Sequence, residues 1–145
     1  YANAALIKTD AHNAGFDYAV VLDEAGQVTE GSAMNMFLVQ NGKLVTTMKT
    51  DNILVGVTRN TIIELARDVL GIETEERAID RTELYISDEA FYCGTGAQVS
   101  PIVEIYTRKL GYGNVGPISK ELQKLYFDVV KGKVPKYKKW CMPIY

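Results

Sequence analysis

Asn41-Gly42 constrains this chain more than any other dipeptide in it. Asparagine and glycine are the residues that best accept the positive φ a two-residue hairpin turn requires. Met36-Phe37-Leu38-Val39 lies before them and Lys43-Leu44-Val45-Thr46 after, so the stretch reads as an antiparallel β-hairpin.

The remaining elements follow from breakers and periodicity. Tyr1 to Asn13 reads as a helix that Gly15 stops. Tyr18 to Leu22 is a strand, Glu24-Ala25-Gly26 a turn, and Gln27 to Glu30 opens the next strand. After the hairpin, a helix from about Thr58 to Leu70 ends at Gly71, with Ile62, Ile63, Ala66 and Leu70 along one face. A strand near Glu73 to Ala78 leads to a short helix over Arg81 to Ile86, with Asp80 as its N-cap. Glu89 to Cys93 is a strand, and Gln98 to Tyr106 continues as another, broken or edged by Pro101. A glycine-rich loop, Gly111 to Gly116, precedes a last helix from Pro117 to Lys131 with proline at its first position. Repeats, low-complexity tracts and linkers are absent from the sequence. The reading is one α/β (α+β) domain over residues 1–145, a mostly antiparallel sheet packed by three or four helices.

Composition narrows the function. The chain has 145 residues, 47% of them hydrophobic and 23% charged, which suits an ordinary globular domain. A formal net charge of -2 gives no electrostatic footprint for nucleic acid. The basic run from Lys131 to Lys139 is local and reads as a solvated tail. Cys93 and Cys141 have neither disulfide-scaffold nor metal-ligand spacing, and with His12 as the single histidine no zinc site is expected. Free thiols fit a reducing, cytoplasmic setting. No segment is long and apolar enough to span a membrane.

Three loops carry the chemistry. Leu54-Val55-Gly56-Val57-Thr58-Arg59 runs a glycine turn straight into a helix. A helix N-terminus presents unpaired N–H groups and partial positive charge, so this turn suits a phosphate. Glu30-Gly31-Ser32-Ala33-Met34-Asn35 offers a carboxylate, and Gly94-Thr95-Gly96-Ala97 offers a hydroxyl and free amides. Each loop alone reads better as a capped turn, a surface carboxylate or a strand connection. Together they suit a ligand with a basic ring nitrogen at one end and a phosphate at the other, such as pyridoxal phosphate.

With these residues in hand, the chain resembles the C-terminal large domain of the branched-chain amino acid aminotransferases, fold-type IV pyridoxal phosphate enzymes. The resemblance runs along nearly the whole chain. It is carried by Tyr1-Ala2-Asn3, Gly15-Phe16-Asp17, Glu30 to Phe37, Leu54 to Arg59, Glu83-Leu84-Tyr85, Asp88 to Phe91, Gly94 to Pro101 and Gly116-Pro117. As an ordered set these motifs are specific, although each alone is weak.

The resemblance implies roles. Glu30 matches the glutamate that contacts the pyridine nitrogen, where a carboxylate keeps the ring protonated and electron-accepting. Val57 and Thr58 match the phosphate binders, through backbone amides and the Thr58 hydroxyl. Leu54 matches the residue packed on the ring, and Tyr1 a tyrosine close to the ring oxygen. Thr95 and Gly96 match a loop whose amides meet the phosphate or the substrate carboxylate; many relatives have alanine in place of Gly96. Some bacterial relatives carry glutamate where this chain has Met34, so no catalytic role passes to Met34.

The family's Schiff-base lysine is expected just before Tyr1, outside this chain, together with a small N-terminal domain. Lys8, the nearest lysine, reads as a surface residue of the first helix. The implied parent enzyme moves the amino group of leucine, isoleucine or valine to 2-oxoglutarate and works as a homodimer or higher homo-oligomer. Its substrates are small amino acids and 2-oxo acids. The isolated chain is expected to be inactive. Two alternatives stand beside this reading: a D-amino acid aminotransferase or aminodeoxychorismate lyase of the same fold, and a non-catalytic module for phosphate ligands or oligomerisation.

Overall fold

The computed structural model describes residues 2–142 and 144. Helix α1 (Ala2–Asn13) leads, and Gly15, at φ +86°, turns the chain out of it. Strands β1 (Val20–Leu22) and β2 (Gln27–Gly31) pair antiparallel around Gly26. Then β3 (Asn35–Gln40) and β4 (Lys43–Thr46) form the expected hairpin, with Asn41 at φ +51° and Gly42 at φ +74°. Two consecutive left-handed residues are what a type I′ turn demands.

Helix α2 (Val57–Leu65) follows, and its last turn widens to π geometry over Ala66–Leu70 before Gly71 closes it at φ +67°. Next come β5 (Thr74–Glu76), β6 (Ile79–Asp80) and α3 (Glu83–Ile86). The chain continues through β7 (Glu89–Gly94), β8 (Gln98–Ile102), the small hairpin β9 (Glu104–Ile105) and β10 (Arg108–Lys109), and α4 (Pro117–Val130). A 3-10 turn, Pro135–Trp140, is the last regular element among the described residues.

The central sheet runs β5-β4-β3-β7-β8, antiparallel except where β5 lies parallel to β4. Strand β3 is buried on both faces, because each face meets a different layer. One face carries Phe37, Val39, Phe91, Cys93 and Val99 against Ile62 and Ala66 of α2 and Leu122 of α4. Phe37 and Phe91 stack across the strand pair at 5.0 Å. The opposite face carries Met36, Leu38, Ala90 and Tyr92 against Val28 and Ile79 of a second sheet, ordered β1-β2-β6.

Helices α2 and α4 pack one face of the central sheet, while the second sheet and Leu84 of α3 cover the other, and α1 buries no residue. Three expectations need correction. The strand near Glu73 to Ala78 is shorter than expected: β5 ends at Glu76, Arg77 N–H still reaches Thr46 O, and the chain then crosses to β6 in the second sheet. Gln98 to Tyr106 breaks after Ile102, and Tyr106 turns the β9–β10 hairpin at φ +56°. The basic tail is anchored rather than free. Tyr137 is 1% exposed and packs with Leu65 and Val129, while Lys138 and Lys139 stay in solvent. Among the described residues no helix is long and apolar enough to cross a membrane.

Candidate functional site

Strand order brings the three loops to one end of the central sheet. Asn35 opens β3 and pairs with Cys93 near the end of β7. The β2–β3 turn, closed by Gly31 N donating to Met34 O at 2.7 Å, therefore sits beside the β7–β8 turn. A Cβ on Gly94 would lie 3.5 Å from Ala33 O, which measures how closely the two turns pack. Gly31 is similarly confined, since a Cβ there would come within 2.9 Å of the Tyr92 ring.

Glu30 is the penultimate residue of β2 and is half-buried. Its Oε2 accepts from Leu54 N at 3.2 Å and from Asn35 Nδ2 at 3.4 Å. Oε1 has no hydrogen-bond donor among the described residues. Burial pushes the Glu30 carboxyl above its ordinary value, and the Leu54 N–H opposes that rise in part.

Asn35 is 4% exposed and joins this carboxylate to the helix-opening turn. Its Nδ2 also donates to Leu54 O at 2.7 Å, and its Oδ1 accepts from Gly56 N at 3.2 Å. Gly56 is the N-cap of α2 at φ -70°, ψ 143°, and among the described residues no side chain caps the helix. The first N–H groups of α2 consequently lack a helical acceptor. Val57 is 84% exposed, whereas Thr58 is 7% exposed. A cleft of about 590 Å³ reaches Val57 and Thr58 from the α4 side, between Tyr126, Val129 and Trp140; neither Glu30 nor Thr95 lines it.

Arg59 fixes the same turn from beneath. It is completely enclosed, and its Nη2 donates to Thr47 O and to Glu76 Oε2, each at 2.7 Å. The first turn of α2 is thereby tied to the end of β4 and to β5.

Of the residues expected in the site, the structure joins Glu30 and Leu54 directly and places Val57 and Thr58 on the turn that follows. Thr95 and Gly96 lie exposed in the neighbouring β7–β8 turn. Tyr1 lies outside the described residues. Met34 is core, and Lys8 is an exposed residue of α1. Sequence reasoning gave Asn35 and Arg59 no role, although both stand inside the quoted motifs. An asparagine opening a strand and an arginine in a first helical turn show nothing local of their distant partners.

The sequence matches the amino-transferase class IV family model over residues 1–105. A probable branched-chain-amino-acid aminotransferase of Aquifex aeolicus is 50% identical over 145 residues, all of this chain and 47% of that protein. The branched-chain-amino-acid aminotransferase of Pseudomonas aeruginosa is 44% identical over 97% of this chain and 45% of its own length. Among solved structures, the PLP-form branched-chain amino acid aminotransferase from Thermobaculum terrenum superposes with a TM-score of 0.95 at 44% identity. That match covers 99% of this chain and 47% of the other. The branched-chain aminotransferase of Thermoproteus uzoniensis, solved with norvaline, gives a TM-score of 0.95 at 43% identity, over 100% of this chain and 48% of the other. The chain thus spans about half the length of the relatives it matches.

Proposed function

The chain belongs to the class IV aminotransferases, and we propose that it is the cofactor-binding half of a branched-chain amino acid aminotransferase that uses pyridoxal phosphate. The observation that carries this reading is the bond from Leu54 N to Glu30 Oε2, because it ties a half-buried carboxylate to an uncapped helix N-terminus. An acceptor for a protonated ring nitrogen and a set of donors for a phosphate are held at one site.

The donor set fits the cofactor. When bound, pyridoxal phosphate supplies an electron-poor ring that takes up the electrons released as the substrate's α-proton leaves. Glu30 Oε1, free of donors among the described residues, would hold the proton on the ring nitrogen. The amides of Val57 and Thr58, with the Thr58 hydroxyl, would hold the phosphate against the positive end of α2. Leu54 would pack on the ring face, and the Thr95 and Gly96 amides would meet the phosphate or the substrate carboxylate.

The proposal for the parent enzyme is ping-pong transfer of the amino group of leucine, isoleucine or valine to 2-oxoglutarate. Its Schiff-base lysine and small domain are supplied by sequence beyond this chain, and the enzyme is a cytoplasmic homo-oligomer. The exposed Leu54 and Val57 fit a surface that other parts of such an enzyme cover. The proposal includes that the isolated 145-residue chain has no transaminase activity.

Pyridoxamine 5'-phosphate tests the reading, because it needs no Schiff base. The folded chain is expected to bind it, and Glu30→Gln and Thr58→Val each to bind it more weakly. No binding by the folded wild-type chain at millimolar ligand sinks the proposal. With the parent enzyme, leucine should serve as amino donor and D-alanine should not; D-alanine turnover would instead support the D-amino acid branch of the fold.

A further inference from the structure

We propose that Asn35 is the positioning residue of this site: one buried carboxamide sets both the carboxylate for the ring nitrogen and the amides for the phosphate. The inference rests on the cofactor reading above and goes beyond it, since none of the expected contacts involves Asn35.

The geometry is specific. Nδ2 lies 2.7 Å from Leu54 O and 3.4 Å from Glu30 Oε2, and Oδ1 lies 3.2 Å from Gly56 N. Every polar atom of the side chain is engaged, and each partner belongs to the proposed ligand-binding apparatus. The donors on Glu30 converge on Oε2, so Oε1 is the oxygen left to face a ligand cation. At the other end, fixing Gly56 N and Leu54 O sets the direction in which the chain enters α2, and with it the aim of the Val57 and Thr58 amides.

Asn35 itself is fixed by the sheet, being paired with Cys93 at the start of β3. The spacing between the ring end and the phosphate end is therefore referred to a strand buried on both faces. Gly56 confirms how tightly the arrangement is drawn. Its backbone is in an ordinary extended region, yet a Cβ there would overlap Asn35 Oδ1. The glycine is required by Asn35 rather than by φ.

The test measures two ends independently. Affinities for pyridoxamine 5'-phosphate and for inorganic phosphate are compared in wild type, Asn35→Ala, Gly56→Ala, Glu30→Gln and Thr58→Val. The absorbance of bound pyridoxamine phosphate is followed through pH to titrate the ring nitrogen. Glu30→Gln should lower the ring-nitrogen pKa and leave inorganic phosphate alone, and Thr58→Val should do the reverse. Asn35→Ala should do both, with roughly tenfold or greater loss of pyridoxamine phosphate affinity. Gly56→Ala should reproduce that double effect, and it serves if Asn35→Ala does not fold.

Wild-type ring titration and wild-type phosphate affinity in folded Asn35→Ala would overturn the role, whatever its melting temperature. The same follows if neither variant departs from wild type at more than one end. If the wild-type chain binds no pyridoxamine phosphate, the cofactor reading fails and this inference fails with it. If wild type binds and only the Asn35 effects are missing, the cofactor reading stands.

Discussion

Arg59 and Glu76 form an ion pair at 2.7 Å in which the arginine side chain is wholly buried and the glutamate keeps 37% of its exposure. The asymmetry decides what each partner's loss does. Removing Glu76 leaves an enclosed guanidinium with Thr47 O and a long contact to Asn60 Oδ1. Removing Arg59 leaves a carboxylate that water can reach.

Glu76→Ala should accordingly lower stability by about 2–3 kcal/mol, less than the ~3–5 kcal/mol for breaking a pair buried on both sides. Arg59→Met should lower it less, because it fills the space and strands no buried charge. Urea unfolding of the two variants checks the order; a larger loss in Arg59→Met would contradict it.

Glu30 sets a site requirement against stability. Burial raises its carboxyl above 4.5, so the folded chain binds the proton more tightly than the unfolded chain does. The favourable term is complete below the ordinary carboxylate pKa and is lost as pH rises through the raised value. At neutral pH the ionised Glu30 therefore weighs against folding. Glu30→Gln keeps an acceptor for Leu54 N and should make the free chain slightly more stable than wild type at pH 7. The difference should vanish in acid, and cofactor affinity should fall. Thermal melts at several pH values read this directly, and a variant less stable than wild type at pH 7 would contradict it.

What the sequence shows of this fold depends on how locally each feature is encoded. Asn41-Gly42 specifies its turn within two residues, and Gly71 and Pro117 mark helix ends by backbone chemistry alone, so these are placed correctly. The strand read near Glu73 to Ala78 is there as β5 but stops at Glu76, and the crossing to β6 depends on the pairing of Val28 with Ile79 and Gln27 with Asp80, which forms only in the folded chain. Tyr137 looks like part of a basic tail until Leu65 and Val129 cover it. The site divides the same way. Glu30 and the α2 turn stand out only as members of an ordered set of motifs, since each alone reads as a surface carboxylate or a capped turn. Asn35 acts on Leu54 across 19 residues and Arg59 on Glu76 across 17, and neither distance leaves a trace in spacing.

Helix α4 is capped by a residue from another element. Glu89, on β7, accepts from Ile118 N at 3.1 Å and Ser119 N at 2.7 Å. A buried carboxylate at a helix N-terminus satisfies orphan donors and meets the positive end of the dipole. Glu89→Ala should destabilise the chain by about 1–2 kcal/mol. Gly116 stands directly over this carboxylate, where a Cβ would overlap it. Gly116→Ala should therefore destabilise as well, although its φ of -71° suits any residue. Alanine tolerated at 116 with wild-type stability would show that the cap can shift.

Arg77 and Glu83 make the chain sensitive to acid at a place remote from the site. Arg77 Nη1 lies 2.9 Å from Glu83 Oε1 and Nη2 lies 2.6 Å from Oε2, a two-pronged pairing that Gln40 extends. The guanidinium holds the Glu83 carboxyl down to about 2 from 4.5. A depressed carboxyl pKa means the unfolded chain binds the proton more tightly, so this pair stabilises the fold above the ordinary value. That contribution is lost as pH falls from 4.5 to about 2. With side-chain exposures of 31% and 20%, water screens part of the attraction, and the effect is smaller than the pKa displacement alone suggests. Glu83→Gln should be less stable than wild type at pH 7 and should flatten the fall in stability across that acid window. Urea midpoints measured from pH 7 down to pH 2 decide it: parallel curves for the two proteins would remove Glu83 as a source of acid sensitivity.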